Sequence, residues 1–371
     1  MRATDRRITA RLTYAVLVLL PLMLVLFVAA GLRSAAAAHS ARTLEHRSAH
    51  PRRGGWPARA WRKATHFTRP AFRPSRTITV NTAAGFQRAW RQLRPHEEIV
   101  VHDVTFRGEV ALVHKQLSDW AEVHFDSGTR FVGVSDAEDL PPVWLNDDSH
   151  LRFYGGDVSD SASGGMAGTG IIVDDSSYVS WWGFKVHEVG GAGIFLTGIE
   201  KASDHLDFKG DVSDWGHNLK WDPHTVKGTG LHGINVADSH YGVNESRLAF
   251  HVHNSRAGSG LEMGGAVATD GARGNKIYLW CQNLTIVAPN AQGGSCAQVW
   301  GENVASNTFK YIAAQHLSGA PYYAGGMYAD QSLATDKVVY GRASRTNLNP
   351  AYGKVRWDSR SGTVFEDVAS R

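Results

Sequence analysis

Cysteine is nearly absent from this chain: Cys281 and Cys296 are the two in 371 residues. That scarcity excludes a disulfide-dense scaffold and argues against a structural zinc centre, which draws on a fuller set of Cys and His ligands. One disulfide closing the intervening loop is the expected use of the pair in an exported protein. Acids are scarce between residues 39 and 76, where Glu45 faces ten Arg and Lys. Pro51, Pro57, Pro70 and Pro74 interrupt the same stretch. It reads as a basic tether with too little apolar content to fold alone. Attraction to anionic lipid or wall polymer is the sharper alternative. The net charge of +4 therefore belongs to this arm and not to the body. No nucleic-acid-reading motif is present, so no nucleic-acid partner is expected.

The N-terminus carries Arg2, Arg6, Arg7 and Arg11 ahead of an apolar run over 15–32, followed by the small residues of SAAAAHS (34–40). Residues 1–38 therefore read as a signal peptide or an uncleaved membrane anchor. Either way the body lies outside the cytoplasm, secreted or held at the outer face of the membrane, and membrane contact is confined to this segment. The body is expected to be a monomer.

Glycine is abundant, at 39 residues, and five of them open a recurring phrase of Gly, apolar, any, apolar. The phrase appears as GIIVD (170–174), GIFLT (193–197), GINVA (233–237), GLEMG (260–264) and GMYAD (326–330), with looser copies PVWLN (142–146) and QVWGE (298–302). Its apolar starts are Val143, Ile171, Ile194, Ile234, Leu261, Val299 and Met327. Alternation with period two means strand. A second strand follows in each unit, as in YVSWWGFKV (178–186), HLDFKGDV (205–212) and SRLAFHVH (246–253). Hairpin turns, which a sandwich would need, are missing, and the spacing is too irregular for a propeller. A strand returning once per coil predicts an all-β parallel β-helix over residues 77–345, with 346–371 as a C-terminal cap or tail. At the start, Phe86, Ala89, Trp90 and Leu93 fall at helical spacing and predict a short helix capping the first coil.

This layout resembles the right-handed parallel β-helix proteins of the pectin-lyase-like superfamily. The resemblance implies a polysaccharide or oligosaccharide partner, but it rests on coil architecture and brings no catalytic signature. Polygalacturonase-type N-T-D and R-I-K are absent; Asp174-Asp175 and Leu231-His232-Gly233 only echo the motifs between them. The pectate lyase W-I-D-H pattern is absent too, and Trp221-Asp222-Pro223-His224 imitates it poorly.

Stacking places the outward letters of the phrase in columns. The later coils then present Glu262, Trp300, Glu302, Tyr328 and Asp330 on one wall. Glu302 and Asp330 would be column neighbours, a pairing that raises one carboxyl toward neutral pH and suits a general acid. Glu262, Glu302 and Asp330 are the expected catalytic acids. His232 and Asp222, from a loop-like insertion that also holds His224 and Lys227, would assist. Trp300 and Tyr328 offer flat faces to sugar rings, with Asn235, His224 and Lys227 as polar contacts. The bland alternative is solvated acids and turn-forming histidines. His187, His251 and His253 rank below these, and no metal site is expected.

The first functional reading is a glycoside hydrolase without cofactor. The alternatives are a lyase acting on uronate-containing polysaccharide, with Ca2+ as a possible aid, and a non-catalytic glycan-binding or scaffold protein.

Overall fold

The computed structural model describes residues 56–134, 141–159, 168–216, 232–238, 241–255, 258–265, 272–285, 294–301, 304–324, 336–346, 357 and 363–370. The proposed signal peptide or anchor lies outside them. No described helix is long and apolar enough to cross a membrane.

The described chain is a parallel β-helix. Eight strands form a short sheet, running from Val110–Val113 through Val143–Asn146, Ile171–Asp174, Ile194–Leu196, Ile234–Asp238, Leu261–Gly265 and Ala297–Gly301 to Tyr322–Ala324. All pair in parallel. A sixteen-stranded long sheet carries the second strand of each coil, including Ser149–Tyr154, Ser177–His187, Asp207–Ser213, Arg247–Ser255, Lys276–Leu284 and Thr308–Leu317. Its winding continues past residue 345, because Val364–Ser370 pairs in parallel with Lys337–Ser344.

The alternation of the phrase becomes two inward ladders. Ile171, Ile194, Ile234 and Leu261 stack in register, as do Val173, Leu196, Val236 and Met263, all fully buried. Against them packs an aromatic stack from the long sheet: Phe153 lies 5.3 Å from Trp181, which lies 5.5 Å from Phe184. The opening glycine has a steric cause. A Cβ at Gly193 would sit 2.5 Å from the Gly233 carbonyl oxygen, and one at Gly233 would sit 2.7 Å from that of Gly260. The coils approach too closely there for any side chain.

Two register expectations are corrected. Val299 is the third residue of its inward ladder pair, opposite Met263, and Ala297 takes the first position opposite Leu261. In the next coil Tyr322, not Met327, continues the ladder, opposite Ala297. Both true starts lack the Gly-apolar signature, and similar text follows each of them in the sequence.

The helix α1, Trp56–Ala64, and the chain to Ser75 correct the spacer expectation for that part of 39–76. Trp61 is buried against Trp280 and Tyr311, at centroid distances of 6.3 and 6.0 Å. Phe67 packs on Trp182 and Tyr278, and Lys209 Nζ donates to the Thr65 carbonyl at 2.6 Å. Arg69 pairs with the buried Glu122. The strap thus crosses the outward face of the long sheet. The helix α2, Ala83–Gln92, is capped by Thr82 Oγ1, which accepts the Gly85 N–H at 3.1 Å. Its Phe86 and Trp90 meet Phe106, Phe125 and Phe153 at the early-coil end of the core.

Candidate functional site

The outward column of the short sheet reads Trp144, Ile172, Phe195, Asn235, Glu262, Gln298 and Tyr323, each directly opposite the next in the strand register. Asn235 and Gln298 flank Glu262 on either side, about 4.8 Å away along the sheet. Gln298 occupies the place assigned to Trp300 from sequence. Trp300 lies two residues on, opposite Gly264.

His232 sits just before the Ile234–Asp238 strand. Its Nδ1 accepts the Ser259 N–H at 2.8 Å, and its Nε2 contacts the Glu262 carboxylate. A ring nitrogen that accepts a backbone N–H has no proton of its own, so in the neutral ring Nε2 carries the hydrogen and donates to Glu262. Both side chains are buried, with Glu262 9% and His232 5% exposed. Glu262 was expected on an open wall; it is instead enclosed and held by an imidazole. Ser259 Oγ donates to Gln298 Oε1 at 3.1 Å, which leaves the amide nitrogen as the donor end of Gln298. The result is a carboxylate acceptor between two side-chain amides.

Three coils earlier on the same face, Asp174 is 1% exposed and accepts a hydrogen bond from Trp144 Nε1 at 3.3 Å. Burial, reinforced by the charge of Asp175, pushes its carboxyl up to about 7. Asp175 Oδ1 in turn accepts the N–H groups of Ile199, Glu200 and Lys201 at 2.7, 2.9 and 3.1 Å.

Of the residues expected from sequence, the structure brings His232, Glu262 and Asn235 together. Trp300 is placed by its backbone register only. Asp222, His224, Lys227, Glu302, Tyr328 and Asp330 lie outside the described residues, so the Glu302–Asp330 pairing falls there as well. Sequence reasoning missed Gln298 and Ser259. Gln298 was hidden by the two-residue register error, and Ser259 acts through its backbone N–H as well as its hydroxyl. Cys281 and Cys296 form the expected disulfide, with Cα atoms 5.5 Å apart.

No protein-family model matches the chain. No curated protein sequence matches it either. Solved structures do. The crystal structure of an alginate lyase from Paenibacillus sp. is similar at a TM-score of 0.54 and 14% identity, covering 79% of this chain and 99% of that one. The pectate lyase Pel9A is similar at a TM-score of 0.51 and 12% identity, covering 81% of this chain and 78% of that one. This chain shares the parallel β-helix fold of those proteins. At such identities the likeness is one of winding and carries no residue across.

Proposed function

We propose that this protein is a carbohydrate-active enzyme that binds a polysaccharide along the outward face of the short sheet and cleaves it by β-elimination next to a uronate. The observation that carries the reading is the buried His232–Glu262 pair set between the amides of Asn235 and Gln298. Elimination needs a proton acceptor for C5 and hydrogen-bond donors that offset the charge on the uronate carboxylate. Glu262, oriented by His232, is the acceptor; Asn235 and Gln298 are the donors. On one face of the ring, the proton taken from C5 can be returned to the departing C4 oxygen by the same carboxyl group. Phe195 and Tyr323, in the same column, border the path with apolar ring surface.

Similarity of fold to an alginate lyase and a pectate lyase supports elimination over the hydrolysis favoured from sequence. Among the described outward carboxylates of this face, Asp174 and Glu262 lie three coils, or about 14 Å, apart along the axis, beyond the roughly 5–10 Å of a glycosidase pair. No step here uses Ca2+. The disulfide accords with a place outside the cytoplasm.

Incubation with alginate and with polygalacturonate decides the matter. The expected product is an unsaturated uronate, seen by its ultraviolet absorbance, and Glu262→Gln should lower the rate at least a hundredfold while its circular dichroism matches wild type. Reducing ends without absorbance would mean hydrolysis. Retention on the glycan without cleavage would mean a binding protein. Either overturns the proposal, as would full activity in Glu262→Gln.

A further inference from the structure

On the long sheet, away from the short-sheet column, Asp211, His251 and His253 converge. Asp211 lies on Asp207–Ser213 and is directly opposite His251 on the neighbouring strand Arg247–Ser255. His251 and His253 are two apart on one strand, so both rings project from the same face. Asp211 Oδ2 is 2.7 Å from His251 Nδ1, and Oδ1 is 3.0 Å from His253 Nε2. One donor atom from each of the three lies within 4.8 Å of the others.

We propose that Asp211, His251 and His253 bind a divalent first-row transition metal of the Zn2+ class, through one carboxylate oxygen and two imidazole nitrogens, with a further coordination position open to solvent.

The hydrogen bonds around the cluster point the same way. Gln282 Nε2 donates to Gln315 Oε1 at 2.8 Å, so the Gln282 Oε1 faces His251 Nε2, at 3.1 Å. A carbonyl oxygen accepts, so Nε2 of His251 carries the proton. In the neutral ring Nδ1 then presents a lone pair to the Asp211 carboxylate at hydrogen-bond distance. Two acceptors so close require a cation between them, a proton or a metal ion. An imidazole whose far N–H is fixed by an amide is also how metal-ligating histidines are oriented. His251 is further held by stacking on Trp280, at a centroid distance of 4.0 Å. Metal bonds of about 2.0–2.2 Å place neighbouring donors about 3.4 Å apart, and the three donor atoms here lie within 4.8 Å of one another. The three side chains keep 20%, 21% and 38% exposure for His251, His253 and Asp211, which leaves an approach for water or another ligand. Three protein ligands with an open position is the pattern of exchangeable rather than closed structural sites.

A second group with similar donors shows the contrast. Glu98, Glu122 and His124 also converge, but the Arg69 guanidinium already sits among them, 2.9 Å from His124 Nε2 and paired with Glu122. A cation occupies that place. At Asp211 the register neighbour on the other side, Lys185, is exposed.

The test uses untagged full-length protein, stripped with chelator and dialysed. Zn2+ titration by calorimetry should show one saturable equivalent per chain. Co2+ should give a visible ligand-field band. Asp211→Asn and His253→Gln should each weaken binding at least tenfold, and Gln282→Ala about tenfold or more, as for other groups that orient a ligand. His124→Gln should leave it unchanged. Thermal melts confirm that each variant is folded; should one fail to fold, the Co2+ ligand-field band of wild type still reads the site. Absence of saturable binding to wild type overturns the proposal, as does equal binding by folded Asp211→Asn and His253→Gln. Neither result bears on cleavage at Glu262, which is assayed separately.

Discussion

At the scale of single residues, Asp174 ties the fold to pH. Its folded carboxyl titrates near 7, against about 3.9 in an unfolded chain. The native state therefore holds a proton there that the unfolded state releases, and stability falls as pH rises from about 4 to about 7. The full shift corresponds to roughly 4 kcal/mol as an upper bound. Asp174→Asn keeps the shape and removes the titration. Its stability minus that of wild type should therefore grow through this window and level off above it. Chemical denaturation at a series of pH values measures the difference, and a flat line would show that Asp174 is not held in its neutral form. Asp336, pushed by burial up to about 6, acts in the same direction, so the comparison must be made within the single variant and not on wild type alone.

At the scale of elements, the corner between the short sheet and the long sheet is held by a line of small polar side chains. The Asp148 N–H donates to Ser176 Oγ, and the Ser176 N–H to Ser203 Oγ, at 3.2 and 3.1 Å. Further along, the N–H groups of Ser246, Asn275 and Asn307 donate to Asn275 Oδ1, Asn307 Oδ1 and Asp336 Oδ1 at 2.9, 3.1 and 3.0 Å. The residue before several of these takes a left-handed conformation, as Asp147, Asp175 and Glu245 do, and the tight corner exposes N–H groups that the ladder then satisfies. Asn275→Ala would leave the buried Ser246 N–H without its partner, while the Val243 carbonyl keeps the Arg273 N–H at 3.3 Å. The expected loss is about 2 kcal/mol by urea denaturation, from one unsatisfied group. A loss under about 1 kcal/mol would mean that water replaces the side chain.

These corners also show what the text of the chain reveals. Coils one step apart are legible where Gly193, Gly233 and Gly260 mark the close approach of backbones and the alternating letters mark the ladders. Legibility ends where the marker is lost, at Ala297 and Tyr322, because packing there accepts a first residue with no Gly before it. That two-residue slip hid Gln298. His251 and His253 give no signal alone, because their partner Asp211 lies 40 and 42 residues earlier and becomes a neighbour only through the coil length.

At the scale of the whole molecule, the basic arm is partly a component of the domain. The long sheet carries an outward line of Tyr154, Trp182, Tyr278, Tyr311 and Tyr340, a surface that would otherwise suit flat sugar rings. The strap covers much of it: Arg69 lies over Tyr154, Phe67 over Trp182 and Tyr278, and Trp61 over Tyr311. Composition alone missed this, because two large apolar anchors, Trp61 and Phe67, in a basic, proline-broken stretch look too few to fold by themselves, whereas a preformed sheet supplies the other half of the core. The strap pairs with no strand, so it can open without unwinding the coils. Trp61→Ala removes its main anchor, at a cost of about 3 kcal/mol to docking. Trypsin should then cut after Arg62 and Lys63 at least tenfold faster than in wild type, while the melting temperature of the coils moves by only a few degrees. Equal cutting rates would show that the strap is held elsewhere, and a collapse of the melting temperature would show that strap and coils unfold as one unit.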